Sequence, residues 1–552
     1  MFVPVPTPEE MALWDAGAIN AGIAEETLME SAARAAMDGL RSQARARGLA
    51  LAGSRVLLVA GRGNNGGDAF CMARHLMDAG AQPALLCTRP LDDLRGAAGH
   101  WMEVAIRLGV PAFPAEDWEK AISFAPDILV DALLGTGFRG ALREKEARLV
   151  ENMNALPCRL VLAVDVPSGL DARTGRPCPQ AVRAHATVTF QAAKPGLLMP
   201  WAEAFTGEVM VRPIGMPRDV EKANPPSFRT WLIPGQREKD SGAPYTVEHG
   251  VSSRMESLFK QPVEAHADGP AHKGAAGRVM VAGGCASYTG APCLAARAAL
   301  RAGAGLVSVA GPEPVLGVAR LSMPAAVMQP LSDEPVYEWS EALALPLAKA
   351  AKGWGALVFG PGLGRSDGAA ALVGALLDMP HLPPMVLDAD ALFALAKKPE
   401  LLSRLRPCDV LTPHPGEAAT LLGISVKEVQ KNRFSALEEL SRLACAVWVL
   451  KGEGTLIAVP HEPSVISPWQ VPQLAVAGSG DVLAGIIGAL MARGNNPGLA
   501  ATLGVWLHAL SGMSLSRAFP LRGNDPREIA DALPLIAHLA GEPGKEDICA
   551  LF

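Results

Sequence analysis

The sequence predicts an α/β protein built as two successive units, each a largely parallel sheet covered by helices. Three observations carry this. Short apolar, β-rich runs alternate with helical patterns along most of the chain. The runs are close to continuously apolar, as expected of strands covered on both faces. Several end directly in glycine or aspartate, the residues that turn a strand into a helix. At 552 residues, 49% apolar and 19% charged, the chain is too long for one ordinary core and apolar enough for several.

In the first part the expected strands are Arg55–Ala60, Pro83–Thr88, Asp127–Leu134, Leu160–Asp165 and Thr187–Phe190. Residues 217–272 then bring prolines, charges and histidines without a sustained period, and we place an interdomain connection there. The division is set at 1–222 and 223–552. Alternation resumes at Arg278–Ala282, Leu306–Ala310, Ala356–Gly360, Met385–Asp388, Val410–Thr412 and Val447–Lys451, and the last long helical pattern runs through Val482–Ala492. No short internal repeat is visible.

Several classes are disfavoured. A net charge of -6 gives no global attraction to nucleic acid or to anionic membranes, so an anionic ligand must be held by local devices. The nine cysteines contain no C-x-x-C pair and their number is odd, which points to reduced thiols in a reducing compartment and away from zinc. The start, MFVPVPTPEE, lacks the basic and apolar regions of a signal peptide. The apolar stretch Leu474–Ala492 contains Asp481 and a Gly-Ser-Gly, and is expected to be a buried loop and helix rather than a membrane span. A cytoplasmic protein is expected.

Ligands of open α/β sheets sit beyond the carboxyl ends of the strands. After Arg55–Ala60 comes Gly61-Arg62-Gly63-Asn64-Asn65-Gly66-Gly67-Asp68. This matches G-x-G-x-x-G, a weak signal alone, and the next strand ends Cys87-Thr88-Arg89 without the acid of an ordinary dinucleotide fold. Two asparagines and an aspartate suit hydroxyls, amides or a cation better than a bare pyrophosphate. A plain glycine-rich turn is the bland alternative. Asp131 interrupts an apolar run just before Gly135-Thr136-Gly137-Phe138-Arg139-Gly140, and a buried acid needs a partner, if only a neighbouring loop that it caps. Val164-Asp165-Val166-Pro167-Ser168-Gly169-Leu170-Asp171 places a third polar group at a strand end.

NNGGD, DALLGTG, DVPSGLD and Lys194-Pro195-Gly196, in this order, resemble the NAD(P)H-hydrate epimerase family, the YjeF N-terminal domain, over roughly residues 5–215. The resemblance implies a Rossmann-like three-layer domain. It implies that Asn64, Asn65, Gly66, Gly67 and Asp68, with Gly135, Thr136, Gly137, Phe138, Arg139 and Gly140, bind the hydrate. Asp165 would bind it too and act as the acid-base group, and a potassium ion would use Asn65, Asp131 and Ser168. Ala69 stands where the family pattern has glycine.

In the second part the strongest signal is Ala477-Gly478-Ser479-Gly480-Asp481 opening a helix. Consecutive glycine N–H groups and the helix dipole favour developing negative charge, and a carboxylate beside such a hole can deprotonate a hydroxyl. A simple helix cap is the alternative. Lys451-Gly452-Glu453-Gly454-Thr455 puts a cation and glycines at a strand exit, and Thr412-Pro413-His414-Pro415-Gly416-Glu417 frames one imidazole between prolines. Gly360-Pro361-Gly362-Leu363-Gly364 is another backbone approach site, and Asp388 and Asp390 are candidate supporting acids or Mg²⁺ ligands. With His272-Lys273-Gly274, these motifs resemble the ADP- or ATP-dependent NAD(P)H-hydrate dehydratase family over roughly residues 270–540, with a ribokinase-like fold. The resemblance implies that Ala291, Gly362, His414 and Asp481 contact the hydrate, with Asp481 catalytic. Lys451, Gly452, Glu453, Gly454, Thr455 and Gly480 would contact the nucleotide with its Mg²⁺. Ser479 replaces the family's threonine and keeps the hydroxyl.

Together the resemblances imply a homo-oligomeric enzyme that epimerises R- and S-NAD(P)HX and dehydrates the S form at the expense of ADP or ATP. Two rivals are kept: a small-molecule kinase that releases a stable phosphorylated product, and an N-terminal fold retained only as a binding module.

Overall fold

A computed structural model describes residues 2–88, 90, 93–231, 276–520 and 522–540. Arg89, His272-Lys273-Gly274, Cys549 and the larger part of the expected connection lie outside the described residues. The chain divides into two compact units, Phe2–Thr246 and Val247–Phe552.

The first unit begins with β1 (Phe2–Val5), which pairs antiparallel with β9 (Phe228–Trp231). The expected division at 222/223 falls between β8 (Glu208–Arg212) and β9. Its main sheet is formed by β2 (Arg55–Ala60), β3 (Gln82–Cys87), β4 (Ala112–Pro114), β5 (Ile128–Ala132), β6 (Leu160–Val164), β7 (Ala186–Phe190) and β8 (Glu208–Arg212). The order is β4-β3-β2-β5-β6-β7-β8, and every pair is parallel.

Successive strand residues feed two separate cores. Val56, Leu58, Ile128, Val130, Leu160 and Leu162 pack with Met37, Leu40 and Phe70, from the helices Glu25–Ala46 and Asn64–Asp78. Leu57, Val59, Leu129, Val161 and Ala163 pack on the other face with Leu149, Val150 and Met153 of the helix Glu144–Ala155. A strand buried on both sides has no reason to alternate in polarity, which is why these runs read as continuously apolar. The three-layer Rossmann-like expectation is met.

In the second unit the strands are β10 (Arg278–Ala282), β11 (Leu306–Ala310), β12 (Val327–Gln329), β13 (Ala356–Phe359), β14 (Met385–Leu387), β15 (Val410–Leu411), β16 (Val447–Leu450), β17 (Leu456–Ala458) and β18 (Ser464–Ile466). They run in the order β12-β11-β10-β13-β14-β15-β16-β17-β18. The pairs from β12 to β16 are parallel, and β16-β17-β18 is an antiparallel meander.

Val482–Ala492 is not the last long helix, as the sequence pattern suggested. It belongs to the helix Ser479–Ala492, and Pro497–Ser514 and Pro526–Ala540 follow. Every residue from Ala500 to Gly512 is buried, so that helix lacks the polar face that gives an amphipathic period. The final helix carries Pro534 inside it, which reads as a break in sequence.

Close helix approach shapes this unit. A Cβ placed on Gly485 would lie 2.1 Å from the Ala295 carbonyl oxygen, in the neighbouring helix Ala291–Arg301. Gly485→Ala should therefore force the two helices apart and destabilise the second unit by about 1–3 kcal/mol. Urea unfolding followed by circular dichroism should show an earlier transition; an unchanged midpoint would contradict this packing.

Candidate active sites

In the first unit the chain runs outward from β2 to β3 and β4, then returns to β5 on the other side of β2. The carboxyl ends of β2 and β5 therefore flank the switch point of the sheet, where a crevice must open. A cavity of about 580 Å³ lies there, lined by residues that include Asp15, Asn64, Asn65, Asp68, Thr136, Phe138, Asp165 and Lys194. The glycines make the close approaches. A Cβ on Gly61 would meet the Leu133 carbonyl oxygen, and one on Gly66 the carbonyl oxygen of Gly61. One on Gly135 would sit 3.3 Å from Asn65 and 3.4 Å from Asp165 Oδ2, so three separate loops converge at that point.

Asp165 follows β6 in the left-handed region, with φ of 64°. Its Oδ1 accepts hydrogen bonds from Lys194 Nζ at 2.6 Å and Thr189 Oγ1 at 3.1 Å, and its Oδ2 from the Thr136 N–H at 3.3 Å. Lys194 is 1% exposed and also donates to Thr189 Oγ1 and the Phe190 carbonyl. Burial pushes the Asp165 carboxyl up, but the Lys194 charge and these hydrogen bonds outweigh it and hold the group below the usual carboxylate range. Asp68 is driven the other way, well above that range, by burial and then by the charges of Asp165 and Asp15. Asp15 itself rises to about 6, chiefly through burial.

Asn65, Asp131 and Ser168 do come together. Ser168 donates from Oγ (2.6 Å) and from its backbone N–H (2.7 Å) to the two Asp131 oxygens, and Leu133 N–H adds a third bond. Asn65 Nδ2 donates to the Leu134 carbonyl, while Leu134 N–H donates to Ser168 Oγ. Asp131 thus has protein partners of the kind its place in an apolar run called for, although burial still raises it to about 6. Within this cluster the buried atom without a partner is Asn65 Oδ1. An amide oxygen beside a carboxylate, a hydroxyl and a main-chain carbonyl is a hard oxygen donor set, so these residues fit a potassium ion.

Gly66, Gly67 and Gly140 do not line the cavity wall; Gly66 and Gly67 are buried within the first turn of the helix Asn64–Asp78. Ala69 lies deeper in that helix, fully buried in the core, so glycine's absence there does not narrow the site. Arg139 lines the cavity but is exposed and paired with Glu9 at 2.7 Å. Sequence reading left Lys194 without a role. A lysine at a strand exit looks solvated, and only folding shows it buried on an acid.

The second site gathers at the carboxyl ends of β14, β15 and β16. Lys451 Nζ donates to Asp388 Oδ1 at 2.6 Å, and Thr412 Oγ1 donates to the same atom at 2.7 Å. The Ser479–Ala492 helix aims its first turn here: a Cβ on Gly480 would lie 3.1 Å from Lys451 Nζ and 3.8 Å from Asp388 Oδ2. Asp481 is pushed up to about 8 by burial, then by the Asp388 charge, with Lys451 acting in the opposite sense. Glu417 rises to about 7, also chiefly through burial. Burial would lower Lys451, but Asp388, Glu417 and Asp481 outweigh it and raise the ammonium above its usual range.

Surrounding groups shape the rest. Gly362 has φ of 62°, and a Cβ there would meet Tyr288 and lie 3.0 Å from the Ala291 Cβ, which joins those two expected contact residues. His414 caps the helix Pro415–Leu422, its Nδ1 accepting from the Gly416 and Glu417 N–H groups, while its Nε2 lies 3.3 Å from Glu417 Oε1. Asp390 accepts from Gly364 N–H and Arg365 Nε and serves the glycine loop. Gly452 and Gly454 take φ of 125° and 64° beside buried Arg433, which donates to the Leu450, Lys451 and Gly454 carbonyls. Ser479 Oγ lies 3.0 Å from Nε2 of buried His508. Burial lowers His508 to about 3, which makes it a neutral partner. Arg433 and His508 carry no sequence signal, because both stand inside ordinary helical segments.

The raised Asp481 has a cost that can be read. Its unfolded carboxyl ionises near pH 4 and its folded one near 8. Between these values the folded state binds more protons than the unfolded, so stability falls as pH rises and levels off above 8. Asp481→Asn should therefore stabilise the nucleotide-free protein, with a gain that grows from pH 5 to pH 8. The melting temperature should rise by about 2–4 °C for each kcal/mol relieved. A gain that shrinks with rising pH would show that Asp481 is not held in this way.

Family models match both units: residues 25–196 match the YjeF-related protein N-terminus, and residues 279–535 match NAD(P)H-hydrate dehydratase. The bifunctional NAD(P)H-hydrate repair enzyme Nnr of Moorella thermoacetica is 35% identical over 88% of this chain and 88% of its own. That of Thermanaerovibrio acidaminovorans is 34% identical over 96% and 97%, and that of Escherichia coli 32% over 85% and 82%. The ADP/ATP-dependent NAD(P)H-hydrate dehydratase of Bacillus subtilis, co-crystallised with ATP and Mg²⁺, is 27% identical over 50% of this chain and 94% of that one, with a TM-score of 0.40. The chain belongs to the bifunctional NAD(P)H-hydrate repair enzyme family.

Proposed function

We propose that this protein repairs hydrated nicotinamide cofactors, with epimerisation of R- and S-NAD(P)HX in residues 1–222 and nucleotide-dependent dehydration of S-NAD(P)HX in residues 223–552. The observation that carries it is the presence in one chain of two formed sites. One holds an ionised Asp165 on Lys194 at a sheet switch point, and the other sets Asp481 in a helix first turn beside Lys451 and Asp388.

The chemistry follows from the leaving group. Hydroxide at C6 of the nicotinamide ring leaves poorly. Asp481 takes the hydroxyl proton as the terminal phosphoryl group of ADP or ATP moves onto that oxygen, its bridging P–O bond breaking to release AMP or ADP. The ring nitrogen then pushes out phosphate, and transfer of a C5 proton to the departing phosphate or to water restores the reduced ring. N–H groups at the start of the Ser479–Ala492 helix face the transferred charge. Three carboxyl groups, Asp388, Glu417 and Asp481, crowd the single Lys451, and a divalent ion arriving there would favour their ionised forms. Mg²⁺ carried in with the nucleotide supplies charge neutralisation at its phosphates. Ala291 and Gly362 form one wall for the hydrate.

Potassium would be held by Asn65, Asp131 and Ser168 and would tie together the loops after β2, β5 and β6. No helix of the described residues is long and apolar enough to cross a membrane. The described cysteines are free thiols, which supports a reducing, cytoplasmic setting. Homo-oligomerisation belongs to the same reading, and sedimentation equilibrium tests it.

Mixed hydrate epimers supplied with ADP or ATP should regain reduced-cofactor absorbance completely, with stoichiometric phosphate release. Accumulation of a phosphorylated product instead would favour a conventional kinase. Asp481→Asn should lose S-hydrate dehydration by about 3 kcal/mol or more in barrier while hydrate and nucleotide still bind. Asp165→Asn should leave that step intact and consume the mixture only in part; rapid complete consumption would exclude Asp165 as the acid-base group. Replacing K⁺ by a bulky organic cation should lower both epimerase activity and the melting temperature of the first unit, and Asn65→Leu should abolish that sensitivity. A cation-independent wild type would remove potassium from the site.

A further inference from the structure

The epimerase cavity contains a carboxyl group that the reading above counts among the hydrate contacts but gives no part in the chemistry. Asp68 sits in the first turn of the helix Asn64–Asp78, is 6% exposed, and lines the same cavity as Asp165. Among the described residues nothing donates a hydrogen bond to it and no cation pairs with it; only burial and two like charges act on it. A buried acid without a partner, facing a ligand cavity, is costly unless it is neutral. Asp165 presents the opposite case, with Lys194, Thr189 and Thr136 all stabilising its anion. We propose that Asp68 is the proton donor and Asp165 the proton acceptor in epimerisation at C6.

This inference rests on the epimerase reading and deepens it. The hydrate is a cyclic carbinolamine, with a hydroxyl on the carbon bonded to the ring nitrogen. The Asp165 carboxylate removes the hydroxyl proton, and the freed O–H pair forms the C6 carbonyl. The C6–N1 bond breaks with its pair going to N1, and Asp68 protonates N1. Rotation about C5–C6 turns the other carbonyl face toward N1. On closure N1 attacks C6 and returns its proton to Asp68, and the carbonyl oxygen recovers the proton held by Asp165. Both residues end as they began, and no oxidant or further reactant is consumed. Loss of hydroxide would instead create a cation one proton away from the reduced cofactor, which is the product of the other unit and not an epimer.

The surroundings agree with this division. The charged groups acting on Asp68 are Asp165 and Asp15. Asp15 in turn faces Lys194, Asp165 and Glu25. The helix Gly96–Arg107 presents Ala98 to the same first turn, at 3.1 Å from a Cβ on Gly67. On β5, Asp131 is occupied by Ser168 and Leu133. Cys71, one turn further along the helix, bonds Glu30. A neutral acid and an ionised acid in one site divide the roles of donor and acceptor.

The test uses the full-length protein and the R hydrate. Wild type should epimerise it with a bell-shaped pH profile, the acid limb from Asp165 and the alkaline limb from Asp68. Asp68→Asn should lower kcat at least about 100-fold and abolish the alkaline limb, while Asp68→Glu should recover that limb. Hydrate binding and thermal melting of each variant report whether the first unit is intact. In heavy-oxygen water the epimer should form without taking up solvent oxygen at each turnover. A wild type that fails to epimerise would defeat the epimerase reading itself. A working wild type whose Asp68→Asn variant keeps the alkaline limb, or shows only a higher KM, would overturn the role of Asp68. Solvent oxygen gained at every turnover would overturn the ring-opening course.

Discussion

A lysine ammonium bonded to an aspartate away from bulk water organises each site. Lys194 holds Asp165 in the first unit and Lys451 holds Asp388 in the second, both at 2.6 Å. Taking such charges out of water is expensive, and removing one partner of a buried pair typically costs about 3–5 kcal/mol. The loops that carry the pairs are therefore bound to one arrangement. Lys194 joins the chain after β7 to the end of β6, and Lys451 joins the end of β16 to that of β14.

The two pairs act on their neighbouring acids in opposite ways. In the first unit the proposed catalytic acid belongs to the pair, so its anion is stabilised and it is ready to accept a proton. In the second, Lys451 is committed to Asp388, and Asp481 stands beside them as an additional carboxyl in a crowded negative field. Desolvation and like charge leave that group reluctant to ionise until positive charge arrives.

Backbone geometry makes these clusters possible. All strands of the main sheet in the first unit are parallel, as are those from β12 to β16 in the second, so their carboxyl ends lie on one edge. Glycines then admit backbone where a side chain would collide, as Gly61 does at Leu133 and Gly360 at the Asp388 carbonyl, where a Cβ would come within 2.1 Å. Polar side chains at successive strand exits are thereby gathered from segments far apart in sequence. The same parallel order buries both sheet faces, and that leaves the edge as the place for chemistry.

The sequence by itself determined the α/β class, most of the central strands and the loops that carry the chemistry. Continuous apolar runs mark doubly covered strands, and glycine-rich exits mark close backbone approach. It could not show the short strands β4, β12, β17 and β18, which have too few residues for a pattern. Nor could it show the helix Pro497–Ser514, which is buried on every side. Asp131 stood out in sequence as an acid in need of a partner, but only folding shows that Ser168 satisfies it and that neighbouring Asn65 Oδ1 is left without one. Lys194 stood in a motif without a role, and Arg433 and His508 were ordinary residues, until tertiary packing buried them. Burial, and with it the protonation of Asp68, Asp165 and Asp481, depends on what surrounds a group in space, and one-dimensional spacing does not carry that information.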